Sequence, residues 1–156
     1  MDQSPLLDDV DRRILNALQQ NAALTNAELA QLVHVSAPTC LRRVKQLRDS
    51  GVIEREVAIV APAKVGTQLT AIVEITLDMQ AADRMAEFEA HVAVEPAVLQ
   101  CYRVSPGPDF VLIVQVTDMP AYHALAHRLF TSHVNVRNVK AYFSTHRSKF
   151  ETRIPV

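Results

Sequence analysis

The chain has 156 residues, 49% of them hydrophobic and three of them glycine, which is enough apolar material for one ordinary domain or two small ones and argues against disorder. The formal net charge is −1, so the bulk positive charge of a protein that binds nucleic acid indiscriminately is excluded. Cys40 and Cys101 form neither a disulfide framework nor a zinc-ligand spacing. Since neither a secretory leader nor an apolar run of ~20 residues is visible, we expect a soluble, cytoplasmic protein without membrane contact.

Two helical patterns open the chain. Asp8 or Asp9 can cap a first helix, which repeats apolar residues at helical spacing and ends near Asn21. Thr25 and Glu28 then form a capping-box pattern, in which the hydroxyl and the carboxylate each accept a hydrogen bond from a backbone N–H group. We expect a second helix to begin there.

A third helix is the most informative segment. Ser36 is its predicted cap, Pro38 lies in the first turn, where a missing N–H group does no harm, and Gly51 stands at the position of a left-handed C-cap. Because few residues separate the second helix from the third, the sequence predicts a helix-turn-helix. No acidic residue lies between Ser36 and Arg48, whereas four residues of this stretch are basic: Arg42, Arg43, Lys45 and Arg48.

A helical projection divides the third helix into an apolar side and a polar side. Cys40, Leu41, Val44 and Leu47 form the apolar side. Arginine and glutamine can make bidentate contacts with guanine and adenine edges in the major groove, whereas Ser36, Lys45 and the helix N-terminus are better placed for phosphate oxygens. The alternative is a surface helix with a solvated charged face. We predict DNA contacts from Ser36, Thr39, Arg42, Arg43, Lys45 and Gln46.

The pattern changes after residue 53. Residues 52–66 are predicted to form a short strand and then a connector containing Pro62 and Gly66, so we expect a DNA-binding domain at 1–53, the strand and connector at 54–68, and a second domain at 69–156. The second domain shows strand and helix patterns in the order β-α-β-β-α-β, which is that of a ferredoxin-like domain. The predicted fold class is therefore α+β. One face of such a sheet is covered by helices, and the uncovered face predicts homodimerisation.

The sequence predicts neither an enzyme nor a metal site. His123 and His127 lie four residues apart on a helical pattern, but no glutamate completes a metalloprotease motif, and we expect both side chains to be exposed. Neither a nucleophile-elbow motif nor a phosphate-binding loop occurs in the sequence. No catalytic residue and no cofactor is therefore assigned.

Six segments of the chain carry a family resemblance. They are LDDVDRRILNALQQNA, LTNAELAQLVHVSAPTCLRRVKQLRDSGVI, AIVEITL, LQCYRVSPGPDFVL, TDMPAYHAL and KAYFSTHRSKFETRIP. Through them essentially the whole chain resembles the leucine-responsive/asparagine-responsive (Lrp/AsnC) family of transcription regulators. The resemblance implies a winged-type helix-turn-helix, a ferredoxin-like domain that binds amino acids, and homodimers that assemble into tetramers or octamers. In such relatives the effector lies between dimers, under the loop that joins the second and third strands.

The resemblance also implies a set of effector-binding residues. The family's effector loop falls on residues 105–110, where Pro106 stands in place of the usual glycine and Pro108 follows. Prolines lack the N–H groups that would hold an α-carboxylate. Core packing is the alternative role for Met119 and Phe143, and stabilisation of a turn is the alternative for Asp109. The candidates are Ser105, Gly107, Asp109, Phe110, Met119, Tyr142, Phe143 and Ser144.

Taken together, the sequence predicts a sequence-specific transcriptional regulator that binds double-stranded DNA and is modulated by an amino acid or a related metabolite. The alternative is an effector-independent architectural protein that wraps DNA, which the two prolines of the loop favour.

Overall fold

The computed structural model describes residues 7–66 and 69–156, which divide into two compact units. The helical unit comprises the described residues up to Ile59 together with Lys149–Val156, and the sheet unit comprises Val60–Ser148. None of the helices in the described residues is long and apolar enough to cross a lipid bilayer.

The helical unit is built from α1 (Asp9–Gln20), α2 (Asn26–Leu32) and α3 (Ala37–Asp49). Apolar residues at helical spacing face one another across the three helices, so that a single core forms without a sheet. The three predicted helices and their helix-turn-helix arrangement are confirmed. Its core contains Ile14, Leu15, Ala17, Leu29, Ala30, Val33, Cys40, Val44 and Leu47.

Local capping determines where these helices begin and end. The Asp8 carboxylate accepts hydrogen bonds from the backbone N–H groups of Val10 and Asp11 and thereby caps α1. Thr25 and Glu28 form the predicted capping box on α2, and the Thr25 hydroxyl and backbone hydrogen bonds lower the pKa of Glu28. After α3 the chain turns at Gly51, whose φ of +76° is the left-handed conformation predicted for it.

The strand predicted within residues 52–66 is absent: in this chain residues 52–61, all described, carry no strand assignment, and residues 54–61 are exposed. A strand requires a neighbouring strand for its N–H and C=O groups, and none of the described segments supplies one here. A short 3₁₀ turn, Pro62–Lys64, follows.

The last residues of the chain, Lys149–Val156, pack with the helical unit, and the predicted bound of 69–156 for the second domain stays a prediction. The Gln19 side chain donates to the Ile154 carbonyl at 3.1 Å and accepts from the Ile154 N–H group at 2.8 Å. Val156 packs against the helical core. The tail thus satisfies backbone groups and buries apolar surface on α1, and it lines a groove of about 780 Å³ together with α1 and residues 52–57.

The sheet unit has the predicted βαββαβ order. Its elements are β1 (Leu69–Leu77), α4 (Ala82–Ala93), β2 (Val98–Arg103), β3 (Phe110–Val116), α5 (Met119–Ala126) and β4 (Val136–Phe143). All strand pairs are antiparallel, in the order β2-β3-β1-β4, and α5 continues into one π-helical turn, His127–Thr131.

Alternation along the strands gives the sheet two different faces. Residues 71, 73, 75 and 77 of β1 and residues 110, 112, 114 and 116 of β3 are buried beneath the helices with Phe88, Leu125 and Phe130. The opposite face carries Ile72, Val111, Ile113 and two half-exposed tyrosines, Tyr102 and Tyr142. Within the described residues of the sheet unit no helix covers this open face.

Candidate nucleic-acid interface and effector region

Three hydrogen bonds fix the start of α3. The Ser36 Oγ accepts a hydrogen bond from the Thr39 N–H group and donates one to Thr39 Oγ1, at 3.4 and 2.8 Å. The Asn26 side chain, in the first turn of α2, donates to the Ala37 carbonyl at 2.9 Å. The Asn26–Ala37 hydrogen bond links the two helices of the helix-turn-helix, and the roles of Ser36 and Thr39 on DNA stay predictions.

The apolar side of α3 is narrower than the helical projection predicts. Cys40, Val44 and Leu47 are buried, but 60% of Leu41 is exposed. Leu41 follows Cys40 by one residue and is therefore rotated about 100° out of the buried stripe, toward solvent. The assignment of Leu41 to the core is corrected.

The outward side of α3 is cationic. Arg42, Lys45 and Gln46 are exposed, and none of their side chains has a hydrogen-bond or ion-pair partner within residues 7–66 and 69–156. Arg48 differs, because its Nη2 lies 2.6 Å from Glu56 Oε1. The predicted DNA-facing residues that can still form new contacts are thus concentrated in the middle of the helix.

Arg43 is held inside the helical unit. Its Nη1 lies 2.6 Å from Asp8 Oδ2 and 2.9 Å from Asp11 Oδ1, and 23% of the side chain is exposed. Hydrogen bonds to Asp11 and Asp8 raise the pKa of Arg43, and its buried Nε has no partner among the described residues. These pairs connect α3 to the start of α1, and turning Arg43 toward a duplex would break both of them; the role of Arg43 on DNA stays a prediction.

The candidate effector residues lie at opposite ends of the sheet. Phe110 pairs with Ile75 near one end of β1, and Phe143 pairs with Ala71 near the other. Four residues of a strand span about 13 Å, which is longer than a small amino acid. The loop at 105–109 and residues 142–144 therefore do not form one pocket within a single chain.

At the loop end, two of the candidates have structural partners. Asp109 is 8% exposed, and its Oδ2 accepts a hydrogen bond from the Leu77 N–H group at 2.7 Å. Phe110 is fully buried against Phe88. The geometry of Asp109 is that of the turn-stabilising alternative, whereas Ser105 and Gly107 are exposed in the loop itself.

At the opposite end, the candidates are accessible. Met119 and Phe143 keep about two fifths of their surface exposed, and the Phe143 ring stands edge-on to Tyr122, so neither is an ordinary core residue. Tyr142 points to the open face and donates to Glu74. Ser144 donates its N–H group to the Thr70 carbonyl. A polar cleft of about 440 Å³ beside it is lined by Pro62, Ala63, Thr70, Gln115, Ser144, Thr145, His146 and Arg147.

The fold also brings together two histidines that sequence spacing does not connect. The rings of His91, on α4, and His133, before β4, have centroids 5.0 Å apart. Burial, and then the charge of His91, lower the pKa of His133, whose Nδ1 accepts from the Asn135 N–H group. No group of three or more metal-ligating side chains occurs in the part of the chain that the structure describes.

Comparison with known proteins also divides the chain between its helix-turn-helix and the domain that contains the sheet. Residues 7–54 match the family model of a winged helix-turn-helix DNA-binding domain, and residues 70–154 match that of the Lrp/AsnC ligand-binding domain. An HTH-type transcriptional regulator of Haemophilus influenzae is 38% identical over 95% of this chain and 88% of its own length. The DNA-binding transcriptional activator DecR of Escherichia coli is 32% identical over 97% and 99%. The crystal structure of a transcriptional regulator from Neisseria meningitidis in complex with L-Met is 34% identical, with a TM-score of 0.90 and 96% of each chain covered.

Proposed function

The chain belongs to the Lrp/AsnC family of transcriptional regulators, which are not enzymes, and from that premise we propose how its own residues bind DNA and an effector. It is a DNA-binding regulator with a ligand-binding domain. Because its partner is double-stranded DNA, we also propose that it acts in the cytoplasm.

We propose that α3 enters the major groove with Arg42, Lys45 and Gln46 toward the duplex. The observation that carries this assignment is the exposed cationic side of α3, whose side chains have no partner among the described residues, while Arg43 and Arg48 are paired. The groove is wide enough for an α-helix, and its base edges present the acceptors that a guanidinium can bind in a bidentate manner. Lys45 is better suited to a phosphate.

Single substitutions test this assignment. In titrations with a duplex selected by the full-length protein, Arg42→Ala is expected to lower specific affinity by about 10- to 100-fold, as loss of one bidentate base contact does. Lys45→Ala should weaken binding to all sequences and reduce the salt dependence by about one phosphate contact. Arg137→Ala, an exposed arginine of β4, is the charge-matched control. If Arg42→Ala and Arg137→Ala bind equally well, the groove assignment is wrong.

We propose that the open face of the sheet binds a second copy of the chain. Ile72, Val111 and Ile113 are apolar residues at its centre, and Tyr102 and Tyr142 flank them. Such a patch is unfavourable in water and is suited to an interface. Ile72→Lys should shift the sedimenting species toward the monomer, and an unchanged distribution would contradict this interface.

We further propose that an amino acid is the effector and that its site is completed between copies. Two observations support this: Met119, Phe143 and Ser144 are accessible at one end of the sheet, and the loop at 105–109 lies at the other. A relative was solved as an L-Met complex. Isothermal titration calorimetry against a panel of amino acids should detect binding heat for at least one of them. Met119→Ala should lower the affinity for that amino acid.

The architectural alternative keeps one specific observation in its favour. Pro106 and Pro108 remove two N–H groups from the loop that would hold an α-carboxylate. If no amino acid gives heat at millimolar concentration while the protein still binds and bends duplex DNA, the effector proposal fails and the architectural function stands. Sedimentation of the complexes would then decide between tetramer and octamer.

A further inference from the structure

One apolar side chain interrupts the cationic side of α3. Leu41 is 60% exposed, although Cys40 next to it is fully buried. A single exposed leucine is common on protein surfaces and needs no special explanation. Its surroundings give it significance here, because it lies beside Arg42 and one helical turn before Lys45 on the side proposed to face DNA.

The position of Leu41 along the helix matters as well. It is the fifth residue of α3, which begins at Ala37 and has 13 residues. In helix-turn-helix proteins the N-terminal residues of the second helix contact base edges. Since Asn26 and Ser36 fix this end of α3, Leu41 is held on a rigid backbone at the depth where bases are read.

The chemistry of the leucine side chain restricts what it can recognise in the groove. It can neither donate nor accept a hydrogen bond, so guanine, adenine and cytosine edges offer it no partner. Thymine alone presents an apolar group there, its 5-methyl group. Packing the two together removes apolar surface of both from water, whereas any other base would leave Leu41 against polar atoms.

We infer that Leu41 is a specificity-determining residue, which reads the 5-methyl group of a thymine adjacent to the base contacted by Arg42. The inference rests on the proposed placement of α3 in the major groove and extends it: the preferred site should contain a thymine at a fixed offset from the base that Arg42 contacts. The competing possibility is that Leu41 contacts a second protein surface, and the dependence of binding on the thymine methyl group distinguishes the two.

The test deletes the methyl group from the DNA instead of changing the base pair. A duplex is first selected from a random library by the full-length protein, and each thymine is then replaced singly by deoxyuridine. For the unsubstituted protein we expect one position in each half-site to lose about fourfold in affinity, as burial of one methyl group predicts. With Leu41→Ala the same replacement should leave the duplex affinity unchanged. Preference for the base contacted by Arg42 should be retained in this variant.

A matched variant controls for the loss of an exposed leucine. Leu32→Ala removes a side chain of α2 that is 58% exposed, and it should discriminate thymine from deoxyuridine as the unsubstituted protein does. For each duplex, the affinity with deoxyuridine is divided by the affinity with thymine. If this ratio is the same for Leu41→Ala as for the unsubstituted protein at every position, the inference is overturned, although Arg42 still reads DNA. If Leu41→Ala instead changes the sedimentation of the protein without altering thymine dependence, the leucine contacts protein and the inference is also overturned. Absence of any selective binding by the unsubstituted protein would refute the proposed function itself.

Discussion

Arg43 and Arg42 are adjacent arginines for which the structure predicts opposite mutational effects. Replacing Arg43 by alanine removes two ion pairs, at 2.6 and 2.9 Å, that join α3 to the start of α1. Exposed pairs contribute at most about 1 kcal/mol, whereas breaking a buried pair costs about 3–5 kcal/mol. Because Asp11 is 17% exposed and Arg43 is 23% exposed, the site lies between these limits. We expect Arg43→Ala to lower the free energy of unfolding of the helical unit by about 2 kcal/mol.

Two spectroscopic signals distinguish the unfolding of the helical unit from that of the sheet unit. All three of its tyrosines, Tyr102, Tyr122 and Tyr142, lie within Val60–Ser148, and it contains no tryptophan. Tyrosine fluorescence therefore reports on the sheet unit, while far-ultraviolet circular dichroism also follows α1, α2 and α3. With a urea dependence of about 1–2 kcal/mol per molar for a unit of this size, Arg43→Ala should move the midpoint detected by dichroism down by about 1–2 M and leave the tyrosine midpoint nearly unchanged.

Two further variants make this prediction decisive. Arg42→Ala should unfold at the urea concentration of the unsubstituted protein, because its side chain has no partner in the described residues. Arg43→Lys keeps the positive charge but lacks the planar guanidinium group, so it should lose less unfolding free energy than Arg43→Ala does. The reasoning is refuted if Arg43→Ala retains full stability and loses duplex affinity, since Arg43 would then serve DNA and not the fold.

Three further predictions concern other parts of the chain. Asp109→Ala leaves the buried N–H group of Leu77 without its acceptor and should destabilise the sheet unit by about 1–3 kcal/mol in urea unfolding; Asp109→Asn keeps an acceptor, and equal losses for both variants would contradict the hydrogen-bond role. Gln19→Ala removes two hydrogen bonds to Ile154 and should cost about 1 kcal/mol and increase hydrogen exchange in the tail; unchanged exchange there would argue against docking. Burial lowers the pKa of His133 below its ordinary value of 6.5, so the unfolded chain binds more protons and stability should fall as the pH drops below about 6.5. His133→Gln should flatten that dependence, as followed by tyrosine fluorescence between pH 7 and 5.

Much of the fold could be predicted because local signals and hydrophobic period agree. The caps at Thr25, Ser36 and Gly51 mark element ends through their own side chains or backbone. The alternation in β1 and β3 indicates which residues are buried before any partner strand is known. These features depend on residues close together in the chain, so a single sequence contains them.

What could not be predicted depends on distant partners. The pairing of Arg43 with Asp8 and Asp11 joins residues more than thirty positions apart, and a helical projection cannot distinguish a paired arginine from an exposed one. Leu41 looks like a core residue because a projection scores polarity and not the position of neighbouring helices. The strand predicted in residues 52–66 fails for the same reason: alternation indicates a strand only where another strand is available to pair with it.

The docked tail has a consequence for anyone who divides this protein experimentally. The polypeptide leaves the helical unit after Ile59 and returns to it at Lys149, so two covalent crossings join the units. One protease cut near residue 60 would not release an independent DNA-binding fragment, because residues 149–156 would remain packed against the helical unit. A recombinant piece that stops at residue 59 would present Gln19 and the apolar neighbours of Val156 uncovered to water. Supplying residues 149–156 as a separate peptide should restore part of its stability.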